Sequence, residues 1–149
     1  MSIIDNINEQ LVFDKNKIYP GGEELIEKIV EKAPMQLPAD YYELLGCISG
    51  EGNSGAIIFA AKEGLIAIWS AEKALGMQDE FSYLLEDCNT KVWFIGNDVG
   101  DLIYFYGQGK DGFGIYRGED CDLESADKIA DTLTDFLING IGIDIATTL

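Results

Sequence analysis

A change of hydrophobic period at Gly55 constrains this chain more than any other feature. Before it, apolar residues recur at helical spacing; after it, they come in short runs bounded by glycines and acids. Ser2 with Asp5 makes a capping-box pattern ahead of Ile3, Ile4, Ile7 and Leu11, which predicts a first helix. A second is expected after Pro20-Gly21-Gly22, with Leu25, Ile26, Ile29, Val30 and Ala33 on one side. Glu23 and Glu24 suit its N-terminal dipole, and Pro34 stops it. A third opens at Pro38, buries Tyr41, Leu44, Leu45 and Ile48, and ends near Gly50.

Beyond Gly55, residues 56–60 and 65–69 are β-rich runs joined by Ala61-Lys62-Glu63-Gly64, the composition of a hairpin. Short helices are expected over 70–75 and 80–88, followed by strand runs at 92–95, 102–106 and 113–116. The turn compositions Gly-Asn-Asp-Val-Gly and Gly-Gln-Gly-Lys-Asp-Gly between these runs predict an antiparallel meander. Ala126, Ile129, Ala130, Leu133, Phe136 and Leu137 then hold a helical stripe, which predicts a closing helix. The alternation of Ile141, Ile143 and Ile145 suits an edge strand or pairing with a second copy. With no internal repeat and no long linker, residues 1–149 are expected to form one α+β domain.

Composition sets the chemistry. The 149 residues hold 27 Asp and Glu against 10 Lys and Arg, a net charge of −17, and no His. On a folded surface of roughly 7,500 Å² this is about one uncompensated negative charge per 440 Å². Such a surface repels the phosphates of nucleic acid and of anionic membranes, so neither is an expected partner. Without His there is no Ser-His-Asp or Cys-His relay and no HExxH zinc site. No cofactor or metal is expected. The longest apolar runs are too short to span a bilayer, and Cys47, Cys88 and Cys121 form no CxxC pair, which reads as reduced thiols in a cytoplasmic protein.

Three stretches invite a functional reading. Gly50-Glu51-Gly52-Asn53-Ser54-Gly55 matches GxGxxG, but a helix precedes it and a strand follows, the reverse of a dinucleotide fold, and Glu51 repels phosphate. Asn97-Asp98-Val99-Gly100-Asp101 reads as a turn whose Asn and Asp bond their own backbone. The same two carboxylates also suit contact with a partner, a cation, or a small hydrolase using Asp98 and Asp101. Residues 119–135 carry seven acids and one Lys, either as a solvated face or as a docking surface for a basic partner.

Several segments together resemble one family. Leu37-Pro38-Ala39-Asp40-Tyr41-Tyr42-Glu43-Leu44-Leu45 resembles the LPxxYxxxL opening of the SUKH superfamily, which includes yeast regulators of cell-wall synthesis and many bacterial immunity proteins. Ser49-Gly50-Glu51-Gly52 sits where members carry Asn-Gly-Gly, residues 94–101 resemble the FGSDGGGD turn, and residues 129–137 resemble the closing IAxSFxxFL helix. The chain departs from the pattern at Ile48-Ser49, in place of Asn-Gly, and at Val99, in place of a Gly.

The resemblance implies N-terminal helices and a C-terminal helix packed on a mainly antiparallel sheet of about five to six strands. It also implies a non-enzymatic cytoplasmic immunity protein that neutralises a basic toxin such as a nuclease, as a monomer or weak homodimer. A regulatory scaffold like the yeast relatives is the alternative. Acidity suits an inhibitor steered to a basic partner. The expected contact residues are Glu51, Asp98, Asp101, Glu119 and Asp120 for charge, with Tyr104 or Tyr116 as aromatic anchors.

Overall fold

The computed structural model describes residues 3–50, 55–87 and 91–147. Its frame is a six-stranded antiparallel sheet in which every strand pairs with its sequence neighbours. The strands are β1 (Ala56–Ala60), β2 (Leu65–Trp69), β3 (Val92–Asn97), β4 (Ile103–Gly109), β5 (Gly112–Gly118) and β6 (Asp127–Ala130). The helices are α1 (Glu23–Lys32), α2 (Ala39–Ile48), α3 (Ala71–Glu80), α4 (Ser82–Asp87) and α5 (Ile143–Ala146). The expected α+β class, hairpin and meander are all present.

The sheet is covered on both faces, which is why β3 and β4 are apolar runs rather than alternating ones. On one face, α2 lies over Trp93 and Tyr106: the Trp93 indole N–H donates to the Tyr41 hydroxyl at 3.0 Å, and the Tyr41 and Tyr106 rings meet edge to face at 5.6 Å. Tyr104 packs against Phe136 on this face. On the other, Phe81 meets Phe94 at 5.3 Å and Phe105 stacks on Tyr116. The four α2 residues expected inside, Tyr41, Leu44, Leu45 and Ile48, have no exposed surface.

Two side chains tie distant segments to this frame. Asp40, in the first turn of α2, accepts from both the backbone N–H and the hydroxyl of Thr134 at 2.8 Å, joining the opening and closing segments. Gln78 of α3 donates to the Phe94 carbonyl at 2.7 Å and accepts from the Phe94 N–H at 3.0 Å. Beside Phe94, β2 has already ended, so the buried Gln78 amide replaces the missing strand.

Four expectations are corrected. The first helix is only a 3-10 turn, Ile3–Asn6, and the chain then runs to Val12, which bridges Ala60; Ser2 lies outside the described residues. The closing helix divides into β6 and a π-helical segment, Thr134–Ile138. A continuous helix would place Asp127, Asp131 and Asp135 four apart on one side, where they repel. As a strand, the same stretch buries Ile129 and Ala130 against β5. The isoleucine tail is not extended, because Gly140 and Gly142 take left-handed φ of 78° and 85° and start α5. Gly142 sits so close to the Ile129 carbonyl that a Cβ there would come to 2.2 Å. Finally, Cys121 is disulfide-bonded whereas Cys47 remains a thiol; an odd cysteine count excludes a complete framework, not a single bridge. Among the described residues no helix is long and apolar enough to cross a membrane.

Candidate protein-binding surface

Antiparallel register brings distant acids to one end of the sheet. Ala60 opposes Leu65, Ala67 opposes Asn97, and Ile103 opposes Gly118. The turn 61–64, the turn 98–102 and the loop 119–126 therefore leave the sheet on the same side. They carry Glu63, Asp98, Asp101, Glu119, Asp120, Asp122 and Glu124 against Lys62. The opposite end carries Lys91 and Lys110 together with Asp111 and Asp131, so its charges balance while the first end is strongly acidic.

The expected contact residues divide sharply. Asp101, Glu119 and Asp120 are exposed and Asp98 is half-buried, all at this acidic end. Glu51 lies outside the described residues. Tyr104 and Tyr116 have no exposed surface and present no ring to a partner. Tyr104 faces the core, its hydroxyl 3.4 Å from the Ala146 carbonyl, and the Tyr116 hydroxyl donates to the Gly112 carbonyl at 2.7 Å. Burial pushes the Tyr104 hydroxyl up to about 12, opposed by the Arg117 charge and reinforced by that of Asp98. A β-strand aromatic in a sheet covered on both faces is a core residue, and that second cover was not visible in the strand run itself.

Asp98 builds its own turn. Its Oδ1 accepts from the N–H groups of Gly100 at 2.8 Å and Leu102 at 3.2 Å, and Asn97 Oδ1 accepts from Val99 at 3.2 Å. These bonds hold Val99 with φ of 63°, a left-handed conformation that a β-branched residue rarely adopts, with its side chain 52% exposed. Among the described residues no group of His, Cys, Asp or Glu is arranged to hold a metal ion.

Apolar surface adjoins the acids. Val12, a single bridge residue, lies in one row with Ala60 of β1 and Leu65 of β2, and Ile58 stands two residues along β1 on the same face. Val12 is 68% exposed, Ile58 44% and Leu65 40%. Sequence reasoning missed these because Ala-Ile-Ile-Phe-Ala reads as uniformly apolar. The one signal is that Ile57 and Phe59 outweigh Ala56 and Ala60, which marks the lightly packed face.

Comparison with known proteins locates the relationship. No curated protein matches the chain. The sequence profile described as the SMI1 / KNR4 family (SUKH-1) matches residues 20–139, from the loop before α1 through the π-helical segment. That span contains the Asp40–Thr134 tie, the β3–β4 turn and the whole sheet. With most of its length matched and the α+β sheet architecture in place, the chain belongs to the SMI1 / KNR4 (SUKH-1) family.

Proposed function

We propose that this protein is an immunity protein that binds a basic toxin, a nuclease being the best-suited class, and blocks it by occupying its surface rather than by catalysis. Family membership supports a protein-binding role of the immunity or the SMI1 kind. The observation that carries the narrower reading is the net charge of −17 with acids gathered at one end of the sheet. Nucleases bind a polyanion and are commonly basic, so such a surface both steers the encounter and competes for the same positive cleft. Asp98, Asp101, Glu119 and Asp120 supply the charge, as Glu51 does in the expected set; exposed Val99 and Leu65 replace the buried tyrosines as apolar contacts. The acting species is a monomer or a weak homodimer, since the net charge of −17 opposes tight self-association.

A cytoplasmic site follows from that role. Disulfides such as the one at Cys121 are typical of oxidising compartments, so alkylation followed by mass measurement on protein from the cytoplasm reads whether the bridge forms there. The deciding experiment is co-expression with a toxin encoded beside this gene, scoring survival. Survival only in the presence of the protein supports the proposal; equal death with and without it removes that toxin as the partner. Recovery of several host proteins and no toxin indicates a regulatory scaffold instead.

A further inference from the structure

We propose that the open edge of β1 takes up an extended, basic segment of the partner as an added strand. The inference rests on the protein-binding reading and names the surface that performs it. β1 is the outer strand of the sheet, and outside it Val12 pairs only with Ala60, its N–H donating at 2.9 Å and its carbonyl accepting at 2.7 Å. Because backbone groups alternate in direction along a strand, Ala56 and Ile58 point theirs outward as Ala60 does. Among the described residues nothing bonds to these outward groups.

Edge strands are normally guarded by a charge, a proline, a bulge or a covering segment. The opposite edge follows that rule: β6 carries Asp127 and Lys128, and Gly142 lies over its Ile129 carbonyl. The β1 strand, Ala-Ile-Ile-Phe-Ala, has no charge and no proline, and among the described residues no segment pairs with its outer side beyond Val12, with Ile58 44% exposed. Beside the free backbone lies exposed apolar surface from Val12, Ile58 and Leu65, so an incoming strand meets both hydrogen-bonding groups and a place for alternate side chains.

Charge selects the occupant. Glu63, Asp98 and Asp101, against Lys62, lie toward the Ala60 end of β1, set by the β1–β2, β2–β3 and β3–β4 registers. A second copy would bring −17 against −17. A partner segment with β-branched residues toward the sheet and Lys or Arg at its ends satisfies the edge, the apolar row and the acids together.

The test uses the full-length protein and the synthetic peptide Lys-Val-Thr-Val-Thr-Val-Lys, followed by amide NMR. Saturable binding is expected, with Ile58 among the most perturbed amides and its hydrogen exchange slowed at least about tenfold at saturation. Two controls isolate the mechanism. The same peptide N-methylated through its central residues should bind at least about tenfold more weakly, and so should a peptide with Glu at both ends. Ile58→Lys, at an exposed position, should lower affinity for the parent peptide about tenfold with the melting temperature unchanged. Equal affinity of the N-methylated peptide, perturbation centred away from β1, absence of saturable binding, or a dimer that protects the Ile58 amide would each overturn the proposal. A protein that binds this peptide as expected yet protects no cell from a toxin upholds the edge site and removes the toxin reading alone.

Discussion

Tyr41 and Tyr106 touch edge to face in the same core, yet their hydroxyls stand in opposite situations. The Tyr41 oxygen accepts from the Trp93 indole at 3.0 Å, whereas the buried Tyr106 hydroxyl has no hydrogen-bond partner among the described residues, nor has Oδ1 of Asp40. A buried polar group without a partner forfeits its hydration and gains nothing in return, so its removal is favourable. Tyr106→Phe is therefore expected to raise stability by about 1 kcal/mol, and Tyr41→Phe to lower it by about 1–2 kcal/mol by stranding the indole N–H. Urea denaturation midpoints of the two variants should move in opposite directions. At the β3–β4 turn, Val99 holds a backbone conformation that costs a residue with a Cβ roughly 1–2 kcal/mol. Val99→Gly should recover about 1 kcal/mol of that in thermal unfolding, less the added freedom of glycine in the unfolded chain.

At the scale of elements, the weakest joints are those where one segment stands in for another. Gln78 closes the hydrogen bonds of Phe94 where β2 has run out, so Gln78→Ala leaves a buried N–H and a buried carbonyl unpaired and should cost about 2–4 kcal/mol by chemical denaturation. These joints also separate what was legible in the sequence from what was not. α1, α2, the hairpin and the meander were readable because each carries its own period and its own punctuation: Pro34 and Pro38 around the helices, and glycine-rich turns between the strands. The segment after Ala126 was misread because Ile129, Ala130, Leu133, Phe136 and Leu137 are all buried in the fold, and a helical stripe records burial without recording the backbone that achieves it. Only β5, with Arg117 opposite Asp127 and Ile115 opposite Ala130, decides for a strand. The acidic half of the candidate surface was legible because Asp98, Asp101, Glu119 and Asp120 fall in turn compositions. Tyr104 and Tyr116 were misassigned because the sheet is covered on both faces. Ile58 became visible only once β1 proved to be an edge.

For the molecule as a whole, two global charge effects should be measurable. Burial raises the Tyr41, Tyr104 and Tyr106 hydroxyls above the ordinary value of 10.0, Tyr104 to about 12, and Tyr42 follows in the same direction. Above pH 10 the unfolded chain releases these protons while the folded one keeps them. The stabilisation is thus complete below pH 10 and is lost as pH climbs from 10 towards 12 and beyond; denaturation midpoints measured across that range should fall steadily. The second effect concerns encounter. Over 7824 Å² of surface the net charge leaves one unbalanced carboxylate per about 460 Å², concentrated at the end of the sheet where Asp98, Asp101, Glu119 and Asp120 stand. Raising ionic strength from 0.01 to 0.15 M shortens the screening length from about 30 to about 8 Å. The most direct test of an acidic surface built to meet a basic partner is the association rate with the toxin identified by protection, measured across that range by stopped flow. We predict a fall of about tenfold or more for the natural protein, and a flattened dependence when Asp98, Asp101, Glu119 and Asp120 are changed together to Asn and Gln. A rate indifferent to salt, or a salt dependence unchanged by removing those four charges, would contradict it.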